Sequence, residues 1–126
     1  MLKRTMIQLY IEKCDEAIKF YQEAFNGKMR CDHRNDDGSV AHAEMEVFGQ
    51  IIAFSQRNWN ENKSKAVQLC FHFEKGQIDI GRRAYDTLRN DAFEIYSDFS
   101  TADTGYWDEW QFEIVDKYGI FWCLFC

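Results

Sequence analysis

From Met6 to Ile11 apolar and polar positions alternate, with Ile7, Leu9 and Ile11 on one face and Met6, Gln8 and Tyr10 on the other. That is the period of a β-strand. The period then changes. Ala17, Ile18, Tyr21, Ala24 and Phe25 form an i, i+3, i+4, i+7 stripe, with acids in the first turn and Asn26-Gly27 as the stop, which predicts a helix starting at Cys14 or Asp15. Lys28 to Arg34 reads as a strand, and Asn35-Asp36-Asp37-Gly38 as a hairpin turn in which Gly supplies the positive φ. Val40 to Val47 alternates cleanly, Ala41, Ala43, Met45 and Val47 against His42, Glu44 and Glu46. A tight turn at Phe48-Gly49 leads to a fourth strand, Gln50 to Gln56.

Arg57 to Ser64 is polar and aperiodic, and after it the order starts again. Val67-Gln68-Leu69-Cys70-Phe71 repeats Ile7-Gln8-Leu9-Tyr10-Ile11 at an offset of sixty. A helix is predicted over Gln77 to Leu88, with Gly81, Ala84, Tyr85 and Leu88 on one stripe, followed by strands over Ala92 to Phe99, Glu109 to Asp116 and Ile120 to Phe125. Ser100 to Trp107 reads as a loop. Two copies of so long a unit do not make a solenoid, whose repeats are shorter and usually number three or more. They predict one α+β domain over residues 1–126: module one over about 1–56, a connector over 57–64, and module two over about 65–126.

Composition narrows the function classes. Apolar residues make up 46% of the 126 and aromatics 17%, enough for a core despite 29% charged residues. A net charge of −6 with no basic stripe argues against nucleic acid and anionic membranes as partners. No apolar run approaches the ~20 residues that span a bilayer, and Met1-Leu2-Lys3-Arg4 leads into a strand pattern rather than a signal peptide. The expected location is therefore cytoplasmic. Five irregularly spaced cysteines fit reduced thiols. Cys123 and Cys126 form a C-x-x-C pattern, but three residues apart on a strand they point to opposite faces and cannot close a bridge.

Three segments carry a family resemblance: Asp15-Glu16-Ala17-Ile18-Lys19-Phe20-Tyr21 with Phe25, then His42-Ala43-Glu44-Met45, then Asp116-Lys117-Tyr118-Gly119 with Trp122. Together they resemble the vicinal oxygen chelate superfamily, which includes glyoxalase I, bleomycin-resistance proteins and extradiol dioxygenases, and within it the PhnB-like branch. The resemblance implies two βαβββ modules forming a curled mixed sheet around a cleft, with helices outside. The second half departs from the branch pattern at Asn90-Asp91 and at Trp107-Asp108-Glu109-Trp110. In metal-dependent relatives the ligands come from strands one, four, five and eight, positions that fall here on Met6, Ala53, Ala66 and Cys123. These do not supply the three His or carboxylate donors of a catalytic divalent site. No metal and no cofactor are expected there.

If the apolar side of each strand packs on the helices, the other side lines the cleft. That rule places Gln8, Tyr10, His42, Glu44, Gln68, Cys70 and His72 in the cleft, with Cys123 at the inherited position. His33 lies beside a turn and reads as surface. Trp110, Phe112 and Ile114 are ambiguous: burial pattern turns them to the helices, whereas symmetry with His42 and Glu44 turns them to the cleft, where Trp110 would form an aromatic wall. The expected function is metal-free binding of a small molecule, with Gln8, Tyr10, Gln68, Cys70, His72, Trp110 and Cys123 as contacts. The alternative is a lyase or isomerase acting on a small oxygenated substrate, with His42 and Glu44 as catalytic residues, with or without a displaced metal site formed by His42, Glu44 and His72. A homodimer is expected, because closed twofold dimers predominate and aromatic residues are in excess.

Overall fold

The computed structural model describes residues 1–57, 67–103 and 108–126. The chain divides into two compact units, Met1–Asn60 and Glu61–Cys126. The first contains β1 (Ile7–Ile11), α1 (Cys14–Phe25), β2 (Lys28–Arg34), β3 (Val40–Val47) and β4 (Gln50–Gln56). The second repeats that order as β5 (Leu69–His72), α2 (Ile78–Leu88), β6 (Glu94–Asp103), β7 (Asp108–Val115) and β8 (Phe121–Phe125). Each unit builds one four-stranded mixed sheet, ordered β1-β4-β3-β2 and β5-β8-β7-β6, in which the first strand runs parallel to the last. This is the two-module α+β architecture that the recurrence of elements predicts. No helix among the described residues is long and apolar enough to cross a membrane.

In the first unit the alternation of β3 decides which face is buried. Ala43, Met45 and Val47 are buried, as are their β4 neighbours Ile52 and Phe54. Tyr21 of α1 stacks on Phe54 at 5.9 Å and on Phe25 at 6.0 Å, so this face is the one under the helix. The helix ends at Asn26, which adopts the left-handed conformation (φ 53°) that stops a helix. Between β3 and β4, Phe48 and Gly49 both have positive φ (52° and 78°), as a two-residue hairpin requires. Phe48 offsets some of that backbone cost by packing edge-on against Phe25.

In the second unit Tyr85 of α2 packs edge-on against Phe112 at 5.4 Å and stacks on Phe99 at 5.9 Å, and Trp122 stacks on Phe71 at 6.0 Å. The turn between β7 and β8 is held by Asp116, which is fully buried. It accepts hydrogen bonds from the Tyr118 and Ile120 backbone N–H groups (2.9 and 3.0 Å) and from the Trp122 indole (2.7 Å). The Asp-Lys-Tyr-Gly signature with its Trp is thus a folding device of this turn.

Two expectations need correction. Ser100 to Trp107 is not all loop, since β6 runs on to Asp103, with Ser100 and Thr101 paired to Gln111 and Trp110. Register shifts between Ile95 and Ser97, and again before Ser100, break the alternation and hide the strand from a period-two reading. Trp110 does not form a wall on the face away from the helix. It shares the face of Phe112 and packs on Phe99 (5.0 Å), which itself lies against Tyr85 of α2.

Candidate functional site

On the face of the first sheet turned away from α1, lateral register sets Gln8 of β1, Ala53 of β4, Glu44 of β3 and Cys31 of β2 in one row. Glu44 sits on an inner strand and is only 7% exposed, so its charge needs partners. Arg4, just before β1, supplies a two-pronged one, with Nη1 and Nη2 donating to the two carboxylate oxygens at 2.7 and 2.8 Å. The ring Nε2 of His42 lies 2.8 Å from the second oxygen. Hydrogen bonds from Arg4 and then His42 hold the Glu44 carboxyl down at about 2, against its partial burial. Glu44 is therefore a fixed anion and a weak base, and it orients the His42 imidazole. Gln8 bonds to Ser55 at 3.2 Å on the same face, and Arg57 lies over the Tyr10 ring at 4.5 Å.

The second sheet carries a matching row on its face away from α2: Cys70 of β5, Cys123 of β8, Glu113 of β7 and Ser97 of β6. Glu113 stands opposite Cys123 as Glu44 stands opposite Ala53. Its partner is an amide: Gln68 Nε2 donates to it at 2.7 Å. Cys123 is 2% exposed, and its thiol hydrogen-bonds the exposed Cys70. That bond, helped by His72, draws the Cys70 thiol down to about 7 against burial and the nearby Glu113. The same contact, with burial, pushes Cys123 far up. His72 is exposed on β5, with its ring 5.3 Å from Phe125.

The sequence-predicted residues therefore fall into two groups. Gln8, Tyr10, His42 and Glu44 share one face of the first sheet, and Gln68, Cys70, His72 and Cys123 share one face of the second. His33 is exposed, as expected. Three residues escape the sequence pattern. Arg4 precedes the first periodic segment, while Cys31 is placed beside Glu44 only by the shifted β2–β3 register. Glu113 is the second-module counterpart of Glu44, but it lies sixty-nine residues on, whereas the turn glycines Gly49 and Gly119 are seventy apart.

The inherited metal positions do not fit a metal. Ala53 is a buried methyl group, Met6 offers only a thioether, and the Cys123 thiol is engaged by Cys70, while Ala66 lies outside the described residues. A different donor set exists in the first unit. Cys31, His42 and Glu44 bring one ligand atom each within 4.8 Å of one another. Cys31 takes the place expected of His72, which belongs to the other unit. Arg4 already supplies the positive charge, with both prongs on Glu44.

No family model matches the chain, and no curated protein matches it in sequence. Solved structures match it in fold. The chain has the vicinal oxygen chelate fold, over nearly its whole length and that of its neighbours. The PhnB protein from Bacillus cereus superposes with a TM-score of 0.79 at 22% identity, covering 98% of each chain. TioX from Micromonospora sp. ML1 gives 0.65 at 16% identity, over 98% of this chain and 94% of its own. The fosfomycin resistance protein FosX from Listeria monocytogenes, solved with Mn(II) and 1S,2S-dihydroxypropylphosphonic acid, gives 0.71 at 12% identity, over 99% and 93%.

Proposed function

We propose that this is a PhnB-like small-molecule-binding protein that uses no metal at the inherited positions. The observation that carries the reading is the Arg4–Glu44–His42 network. It neutralises the one buried carboxylate of that face and holds a guanidinium and an imidazole in fixed orientation. Such preorganised polar groups suit a ligand with carbonyl or hydroxyl oxygens. Gln8 and Tyr10, on the same sheet face, are its further contacts. The donor chemistry at Met6, Ala53 and Cys123 argues against a divalent ion such as Mn(II) at those positions. Native mass spectrometry of freshly purified protein is the test. An organic adduct without metal, weakened in Arg4→Ala and Glu44→Gln, supports the proposal, and a stoichiometric divalent ion in its place overturns it.

The 2.8 Å contact between His42 and Glu44 favours a second reading, a lyase or isomerase acting on a small oxygenated substrate. Glu44 would orient the imidazole, leaving His42 to move the proton. Turnover abolished by both His42→Ala and Glu44→Ala would favour the enzyme, and a ligand recovered unchanged would favour the binder. The reading also includes a cytoplasmic homodimer. Phe93, Ile95 and Tyr96 are exposed at the outer strand β6 and offer apolar area for it. Sedimentation at micromolar concentration that shows monomer alone counts against the dimer.

A further inference from the structure

Cys70 and Cys123 face each other directly across the parallel β5–β8 pair, on the sheet face that also carries Glu113. We propose that these two cysteines form a reversible dithiol–disulfide site, oxidised by small hydroperoxides. Neither the small-molecule reading nor the catalytic one requires it.

Adjacent strands lie about 4.8 Å apart, inside the roughly 4.4–6.8 Å of Cα separation that a disulfide spans. The side chains of a directly opposed pair point to the same face, so the sulfurs meet without rotation of either strand. The Cβ atoms must still close to about 3.5–4.5 Å, which leaves the bridge strained and readily reduced. Cys123 and Cys126 cannot compete for the same bond. Cys126 lies on the α2 side, where a Cβ built on Gly81 would meet its sulfur at 2.6 Å. Cys14 is also excluded, being buried in the other unit with its thiol donating to the Ile11 carbonyl and pushed up to about 11.

The two thiols have unequal roles. Cys70 is the exposed one of the pair, with His72 on the same strand face and its thiol drawn down to about 7, so it is the attacking sulfur. Cys123 is buried and keeps its proton, so it resolves. The Cys70 thiolate attacks one peroxide oxygen. An S–O bond forms, the O–O bond breaks, and the alcohol (or water, from hydrogen peroxide) leaves after taking a proton from solvent. The Cys123 sulfur then attacks the Cys70 sulfenic acid. The S–S bond forms, the S–O bond breaks, and hydroxide departs as water with the Cys123 proton. Two electrons pass from the dithiol to the peroxide, and two equivalents of a monothiol return the pair to its reduced state.

The test uses the full chain, reduced, freed of reductant and treated with stoichiometric hydrogen peroxide. Intact mass is expected to fall by two hydrogens, and alkylation is expected to lose two sites relative to untreated protein. Cys123 and Cys126 share a tryptic peptide, so fragmentation must place the link at Cys123, and Cys126→Ser must keep the bridge. In Cys123→Ser the reaction should stop at a Cys70 sulfenic acid trapped by dimedone, and in Cys70→Ser it should not start. Bridging to Cys126, bridging between chains, or overoxidation of Cys70 with Cys123 still alkylatable would each overturn the proposal. The wild-type map is decisive by itself, so the test survives a folding defect in either serine variant.

Discussion

Replacing Asp116 tests whether the most recognisable signature in the chain serves folding or the ligand. Asp116→Ala removes one acceptor from three donors, the Tyr118 and Ile120 N–H groups and the Trp122 indole, all inside a fully buried turn. A hydrogen bond to a charged acceptor contributes about 1.5–3 kcal/mol net, and each orphaned buried donor costs about 1–3 kcal/mol. The buried carboxylate also carries a desolvation cost that disappears with it. The net loss should therefore fall below the simple sum, at about 3–5 kcal/mol, the range found when one partner of a buried charged pair is deleted. For a chain of this length that is a fall in Tm of roughly 10–20 °C. Asp116→Asn keeps an oxygen for the two backbone donors but turns an NH2 toward the indole N–H, so it should lose about 1–3 kcal/mol. On a Trp122→Phe background the Asn substitution should cost at least about 1 kcal/mol less, because the opposed donor has gone. Urea unfolding followed by far-UV circular dichroism measures all four variants. A loss under about 1 kcal/mol for Asp116→Ala, or strict additivity with Trp122→Phe, would refute the reasoning.

Three further outcomes follow from the first unit. Glu44 has a folded pKa near 2, below the ~4.3 of a free glutamate. Its stabilisation is therefore complete above about pH 4.3 and lost as pH falls through about 2. Urea midpoints measured from pH 7 down to 2 should drop more steeply for wild type than for Glu44→Gln, and parallel curves would contradict the assignment. Arg4→Ala exposes the Cys31–His42–Glu44 donors to a cation, so calorimetry should detect zinc binding in the variant and at least tenfold weaker binding in wild type. Equal affinity in both would show that Arg4 does not guard the set. A Cβ at Gly27 would strike the buried Met45 side chain and come within 3.3 Å of Val47, so Gly27→Ala should cost about 1–3 kcal/mol by overpacking. Thermal denaturation checks it, and an unchanged Tm would show that Met45 yields freely.

Most of the fold was legible because its signals are local. The alternation of Val40 to Val47, the stripe from Ala17 to Phe25 and the turn at Phe48-Gly49 each arise from neighbouring residues, and the structure reproduces them. The face assignments of Gln8, His42 and Glu44 followed directly. Signals were lost where pairing is non-local. The end of β6 lies beyond two register shifts, so its side chains do not alternate regularly, and only its partner β7 identifies it as a strand. Arg4 and Cys31 reach Glu44 through the strand order, which no sequence period encodes.

The ambiguity over Trp110, Phe112 and Ile114, and the placing of Trp110 among the ligand contacts, have a single physical cause. Gly49 and Gly119 match at an offset of seventy, and carrying that offset back from β4 to β3 put the aromatics where His42 and Glu44 stand. The β3–β4 turn has two residues and the β7–β8 turn has five, so the second is three residues longer. An odd difference reverses which side chains face the helix, because strand side chains alternate with period two. Counting from the paired strand instead places Glu113 opposite Cys123, the match of Glu44 opposite Ala53. The duplication therefore keeps one glutamate at the same place in each sheet and varies what holds it. Arg4 forms an ion pair with Glu44 and His42 lies in hydrogen-bond contact with it, whereas Glu113, opposite Cys123, is held by the Gln68 amide. Among the described residues, one module thus presents a fixed ion pair and the other a pair of opposed thiols beside a carboxylate held by an amide. That asymmetry is the reason we propose oriented polar binding at the first sheet and thiol chemistry at the second.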